Sequence, residues 1–179
     1  TNATLLDRER IAFCRENAVQ LSLSLDGREE AQSLRKTTGG GSSFADAVRA
    51  LELVAEAHEP GRRPGVRMTV APRTAPLLLS NVRFFLERGF DWVTFQPVLE
   101  ADWTPGARDA LGEGLCAVGM LIAQAIEAGE PRPPVLMPIA RYLRALRHLD
   151  LGAPVPLRTC GAGFAMAAVD IRGAIHPCH

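Results

Sequence analysis

A chain of 179 residues, 47% hydrophobic and 22% charged, is long enough for one ordinary core and too apolar to be disordered. Twenty basic and twenty acidic side chains cancel, which argues against nucleic acid or an anionic membrane as a partner. The longest apolar stretches, Pro76–Leu79 and the body of Leu111–Ile126, fall short of the about 20 residues that cross a bilayer, so no membrane span is expected.

Thr1-Asn2-Ala3-Thr4-Leu5-Leu6 has neither an initiator Met nor a positive leader, so the chain is expected to begin inside a longer protein. After an opening helix, Val19, Leu21, Leu23 and Leu25 alternate with Gln20, Ser22 and Ser24, the period of a strand, and Asp26-Gly27 supplies a turn. Gly39-Gly40-Gly41 reads as a loop. Ser43 and Asp46 then have the spacing of a capping box for a helix running to about Ala57, with Phe44, Ala47, Val48, Leu51 and Val54 on one face. A turn over Pro60–Pro64 leads to a strand at Val66–Val70, a helix over Leu77–Arg88 stopped by Gly89, and a strand at Trp92–Val98. Thr104-Pro105 opens a helix that extends to Ala128 before Gly129. A proline-rich linker, Pro131–Pro134, precedes a short amphipathic helix, Ile139–Leu146. Two short strands, Ala167–Ile171 and Ala174–His176, meet at Arg172-Gly173.

This order is the βα alternation of an α/β protein with a parallel sheet and helices outside. Chemistry in such folds gathers at the C-terminal strand ends, which here carry Ser24, Asp26 and Gln96. Four cysteines, Cys14, Cys116, Cys160 and Cys178, are irregularly spaced, which argues for a reducing compartment, the cytoplasm by default. Cys14 and Cys116 fall within helical periods and read as packing residues. Cys160 and Cys178 bracket Gly173 as C-x12-G-x4-C, and a turn at Gly173 lets two distant thiolates face one site. Such a pair suits an iron–sulfur cluster or zinc; for zinc, His176 is the better third ligand and no fourth is evident.

That pattern, ending Gly-Ala-Ile-His-Pro-Cys-His, resembles the opening of a SPASM domain in radical SAM enzymes. Thr1-Asn2-Ala3-Thr4-Leu5-Leu6 resembles the Thr-Asn-Gly-Thr-Leu-Leu that ends the third barrel strand in those proteins. Ser24-Leu25-Asp26-Gly27 resembles their fourth-strand Ser-Leu-Asp-Gly, and Arg35 with Gly41-Ser42-Ser43-Phe44 matches a later Arg and Gly-x-x-Phe in register. The four landmarks span almost the entire chain.

The resemblance implies the C-terminal portion of a partial (β/α) TIM-like barrel over residues 1–130, a linker with a short helix over 131–158, and the start of a SPASM β-hairpin over 159–179. It implies a fragment of an enzyme that modifies a peptide or protein by 5′-deoxyadenosyl-radical hydrogen abstraction. S-adenosylmethionine would meet Asn2, Ser24, Asp26, Arg35 and the strand end Gln96–Leu99, with Gln96 and Leu99 as its contacts there. Cys160 and Cys178 would ligate part of an auxiliary [4Fe–4S] cluster, and an electron donor such as flavodoxin or ferredoxin would serve the catalytic [4Fe–4S] cluster. The C-x3-C-x2-C motif for that catalytic cluster is absent, so the chain alone is expected to be inactive. His179 stands where anaerobic sulfatase-maturating enzymes place a catalytic Asp; an imidazole also titrates near neutrality, but the substitution turns the reading toward other peptide maturases. The alternatives are formylglycine formation itself, a non-catalytic βα domain binding zinc or a partner protein, and a βα metabolic enzyme whose cysteines are incidental.

Overall fold

A computed structural model describes residues 1–59, 61–130, 135–136, 167–170 and 172–177. The chain divides into two compact units, Thr1–Tyr142 and Leu143–His179.

The first unit is a parallel sheet of four strands in the order β1 (Ser22–Ser24), β2 (Gly65–Val70), β3 (Trp92–Pro97) and β4 (Val135–Leu136). Around it lie α1 (Arg8–Glu16), α2 (Glu29–Gln32), α3 (Phe44–Ala57), α4 (Leu78–Leu86) and α5 (Pro105–Glu127), with a 3-10 turn at Pro72–Leu77. The α/β alternation expected from the sequence is present. Ser22, Leu23 and Ser24 pair with Gly65, Val66 and Arg67, and Val66–Val70 pairs with Val93–Pro97.

Alternation divides the sheet into two unlike faces. Leu23, Val66, Met68, Val70, Val93 and Phe95 are buried against the helices with Leu51, Val54, Leu78, Val82, Phe85 and Val118. Each such side chain contributes about 1.5–3 kcal/mol on burial. Parallel strands are usually apolar on both faces, yet the opposite face here carries Ser22, Ser24, Arg67, Thr69, Thr94 and Gln96.

Helix ends follow local chemistry. The Asp7 side chain accepts from the Arg10 N–H and caps α1, and Thr104 accepts from the Ala107 N–H at the start of α5. Gly89 and Gly129 take positive φ, and the paired bonds Gly89 N–H to Leu86 O and Phe90 N–H to Phe85 O complete a Schellman stop after α4.

Several expectations are corrected. The first strand is three residues rather than Val19–Leu25, because Ala18 at φ 54° ends α1 in a left-handed cap and leaves Val19 exposed. Ser43 precedes α3 without capping it: its hydroxyl accepts from Gln32 Nε2 at 3.0 Å. Pro72 and Pro76 wind the start of the fourth helix as a 3-10 turn. Val135 and Leu136, directly after the proline-rich linker, add a fourth strand beside Trp92 and Val93.

The reading of α5 from apolar runs also changes. Glu113 and Gln124 interrupt the runs, but the 23-residue helix is long and apolar enough to cross a membrane by length and composition. It packs through Val118, Ile122 and Ala125, which are buried, and shows Arg108, Asp109, Glu113 and Glu127 outward.

In the second unit, β5 (Ala168–Val169) and β6 (Ile175–His176) form an antiparallel hairpin with Gly173 at φ 83° in its turn. Asp170 organises that turn. Its carboxylate accepts from the Arg172 and Ala174 N–H groups at 2.8 and 2.9 Å, and its Oδ2 lies 3.3 Å from His176 Nε2. The strands are shorter than Ala167–Ile171 and Ala174–His176. The helix expected at Ile139–Leu146, and Cys160, Cys178 and His179, lie outside the described residues.

Candidate functional site at the strand ends

The polar sheet face meets a hydrogen-bonded network at the C-terminal end of β1. Leu25 continues the ladder by donating to Arg67 O at 3.1 Å, and the chain then leaves the sheet at Asp26. Gly27, at φ 126°, makes the exit possible: a Cβ there would overlap the Asn81 side chain, whose Oδ1 accepts from the Arg28 N–H at 3.0 Å.

Asp26 is almost fully buried, and both of its carboxylate oxygens are engaged. Arg35 donates from Nε to Oδ2 at 2.6 Å and from Nη2 to Oδ1 at 2.9 Å, and the Thr69 N–H donates to Oδ1 at 2.8 Å. Arg35 Nη2 also reaches Thr69 Oγ1 at 3.3 Å. The Asp26 N–H donates to Oε1 of Gln32, which is 1% exposed, and Gln32 Nε2 continues to Ser43. This bidentate fork is the strong form of an ion pair, with most of its lone pairs satisfied. Desolvation offsets much of its attraction, but removing one partner strands the other and is costly.

Asp26 and Arg35, both expected from the sequence to meet the cofactor, lie beside each other as an ion pair. Asp26 has no free oxygen toward the face; it positions Arg35. Gln32, Ser43 and Thr69 complete the network, and sequence reasoning missed all three as site residues. Thr69 was discoverable, because Arg67 and Thr69 are the polar members of the alternation Val66–Val70. Gln32 carried no such signal.

Ser24 is half-buried on the polar face, and its N–H donates to Thr1 O at 2.7 Å while the Thr1 backbone nitrogen donates to Ser22 O at 2.8 Å. Thr1 is thereby docked along the free edge of β1. Asn2 lies next to it, exposed, with Oδ1 accepting from the Thr4 N–H at 3.3 Å and from its hydroxyl at 3.1 Å. Ala3 at φ 67° turns the chain away from the sheet there. Gln96 is exposed on β3, with Oε1 accepting from Arg67 Nη2 at 3.3 Å. Leu99 is 74% exposed and lines an open groove with Trp103, Thr104 and Arg108; Trp103 Nε1 donates to Val98 O at 2.7 Å. The structure therefore brings Ser24, Asp26, Arg35 and Gln96 to one end of one sheet, with Asn2 beside β1 and Leu99 just past β3.

The strand ends thus offer hydroxyls, an amide and the Arg67 guanidinium on the sheet, the paired Arg35 beside them and an exposed leucine beyond, a donor set that suits a polar ligand. Among the described residues no three His, Cys, Asp or Glu side chains gather as a metal site, and Cys14 and Cys116 are free thiols on α1 and α5.

No protein-family model matches the chain. Three solved structures with the same fold are native anSMEcpe with bound AdoMet (TM-score 0.72), a histidine-tagged form of anSMEcpe with bound AdoMet (0.71) and native anSMEcpe with bound AdoMet and Cp18Cys peptide (0.67), each 22% identical. They cover 99%, 99% and 94% of this chain, which spans 49%, 47% and 45% of theirs. At that identity the likeness is one of fold: this chain is built as about half of an anaerobic sulfatase-maturating enzyme, a radical SAM/SPASM protein, is built.

Proposed function

We propose that this chain is part of a radical SAM enzyme that modifies a peptide or protein, and that the polar strand ends bind S-adenosylmethionine. The observation that carries this reading is the convergence of Ser24, Arg35 and Gln96 at one end of a sheet whose fold is shared with an AdoMet-binding enzyme. Bound S-adenosylmethionine supplies the hydrogen-abstracting chemistry. This chain's part would be to orient it: Ser24 and Arg35 would border its polar end, with Asn2 beside them, and Gln96 and Leu99 would meet its nucleoside. Asp26, Gln32 and Thr69 act behind Arg35 and hold its guanidinium in one place.

The peptide class of substrate rests on the peptide complexes of the structures sharing the fold. Formylglycine formation in a sulfatase is the second reading, favoured by the same likeness and weakened by His179 at the position of the family's Asp base. In either case Cys160 and Cys178 are proposed as two ligands of an auxiliary [4Fe–4S] cluster, with the hairpin at Gly173 as the start of the SPASM region. A flavodoxin or ferredoxin as electron donor and a cytoplasmic setting belong to the same proposal.

The test is anaerobic reconstitution of the full-length protein with iron and sulfide, followed by reduction and assay of 5′-deoxyadenosine from S-adenosylmethionine. Nucleoside formation supports the reading. A reconstituted cluster that yields none overturns it.

A further inference from the structure

Two arginines, Arg35 and Arg67, stand at these strand ends, and their charges are met differently. Arg35 spends Nε and Nη2 on Asp26, so the pair is neutral as a unit. Arg67 stands in the middle row of the polar face, in register with Ser24 on one side and Thr94 on the other. Its side chain points away from the core, as the burial of Val66 and Met68 on either side requires. Its one hydrogen bond among the described residues goes to the neutral amide oxygen of Gln96, and no carboxylate among them pairs with it. The neighbours on that face, Ser24, Thr69, Thr94 and Gln96, are all uncharged. Trp92, lying over Gly65 with Cδ1 3.3 Å from where a Cβ would stand, borders the N-terminal end of the same face. Adjacent parallel strands lie about 4.8 Å apart, so Arg67 and Ser24 serve one ligand group.

We infer that Arg67 is the carboxylate-binding residue of this site, with Arg35 held as the structural partner of Asp26. The inference rests on the S-adenosylmethionine reading above. A carboxylate reaching Arg67 has two sources, the amino-acid end of S-adenosylmethionine or an acidic side chain of the peptide. Both use the same chemistry, a charge-assisted and preferably bidentate bond to guanidinium.

The experiment uses the full-length protein as wild type, Arg67→Met, Arg67→Lys and Arg67→Glu, each checked by thermal melting. Binding is measured by equilibrium dialysis with S-adenosylmethionine and with its decarboxylated analogue. A pooled library of N-acetylated, C-amidated hexapeptides is then captured in the presence of S-adenosylmethionine. A charged hydrogen bond is worth about 1.5–3 kcal/mol, so its loss reads as about tenfold to hundredfold in affinity. If the cofactor carboxylate is the source, Arg67→Met weakens S-adenosylmethionine by that factor, leaves the decarboxylated analogue unchanged, and Arg67→Lys recovers part of the difference. If the peptide is the source, both nucleosides bind all variants alike, wild type captures Asp- and Glu-containing peptides, and Arg67→Glu captures Lys- and Arg-containing ones. Variants that alter neither preference overturn the assignment while S-adenosylmethionine binding by wild type still stands. A wild-type protein that binds neither nucleoside removes the site reading itself, and the assignment with it.

Discussion

Asp26 and Arg35 show how much a single pair decides. The carboxylate is 7% exposed and the guanidinium 31%, so removing the cation strands a buried charge. Arg35→Met is expected to cost about 3 kcal/mol in urea unfolding of the full-length protein, near the lower end for breaking a buried pair because Arg35 keeps partial contact with water. Gly27 is as constrained. Gly27→Ala combines a positive φ with overlap of Asn81, and is expected to lose about 1–3 kcal/mol. Urea unfolding of the full-length variant measures this, and a Gly27→Ala protein as stable as wild type would contradict the account.

Among the elements, the α4 stop and the two aspartate-organised turns respond to different tests. Phe85 is fully buried and packs edge-on against Phe84 with ring centroids 5.3 Å apart, so Phe85→Ala is expected to cost about 3–5 kcal/mol. Gly89→Ala, at φ 73°, is expected to cost about 1–2 kcal/mol from backbone strain. The turns at Asp7 and Asp170 depend on pH. Hydrogen bonds from the Ala174 and Arg172 N–H groups hold the Asp170 carboxyl below its ordinary value, and the Arg10 N–H and guanidinium do the same for Asp7. A carboxylate with a lowered native pKa stabilises above its unfolded pKa and loses that contribution as pH falls through the native one. Both turns are therefore expected to be intact at neutral pH and to loosen below about pH 4. Amide exchange at Arg172, Ala174 and Arg10 measures this, and protection unchanged at pH 3 would contradict it.

For the whole molecule, this chain is on the proposed reading one wall of a larger binding site. It lacks C-x3-C-x2-C, so this chain alone is expected to yield no 5′-deoxyadenosine after reconstitution, whereas the full-length protein does. In the full-length protein, Cys160→Ala with Cys178→Ala is expected to remove one cluster's worth of iron and leave S-adenosylmethionine binding in place. Iron content equal to wild type would exclude the auxiliary-cluster role.

Sequence by itself determined the α/β alternation, because period-two and period-3.6 patterns are local and β2, β3, α3 and α5 each carry enough residues to show theirs. It also determined the turn and cap glycines, whose backbone freedom is intrinsic. Tertiary structure decided what local pattern cannot contain. Ser43 has the spacing of a cap but turns to Gln32, since a buried amide must find a partner wherever the fold brings one. Val135 and Leu136 are too few to announce a strand and become one only because β3 offers an open edge. Most consequentially, Arg35 and Arg67 are equal cations in the sequence. Only the fold neutralises one against Asp26 and leaves the other among uncharged neighbours, because pairing depends on distances between strands and loops that no spacing along the chain records.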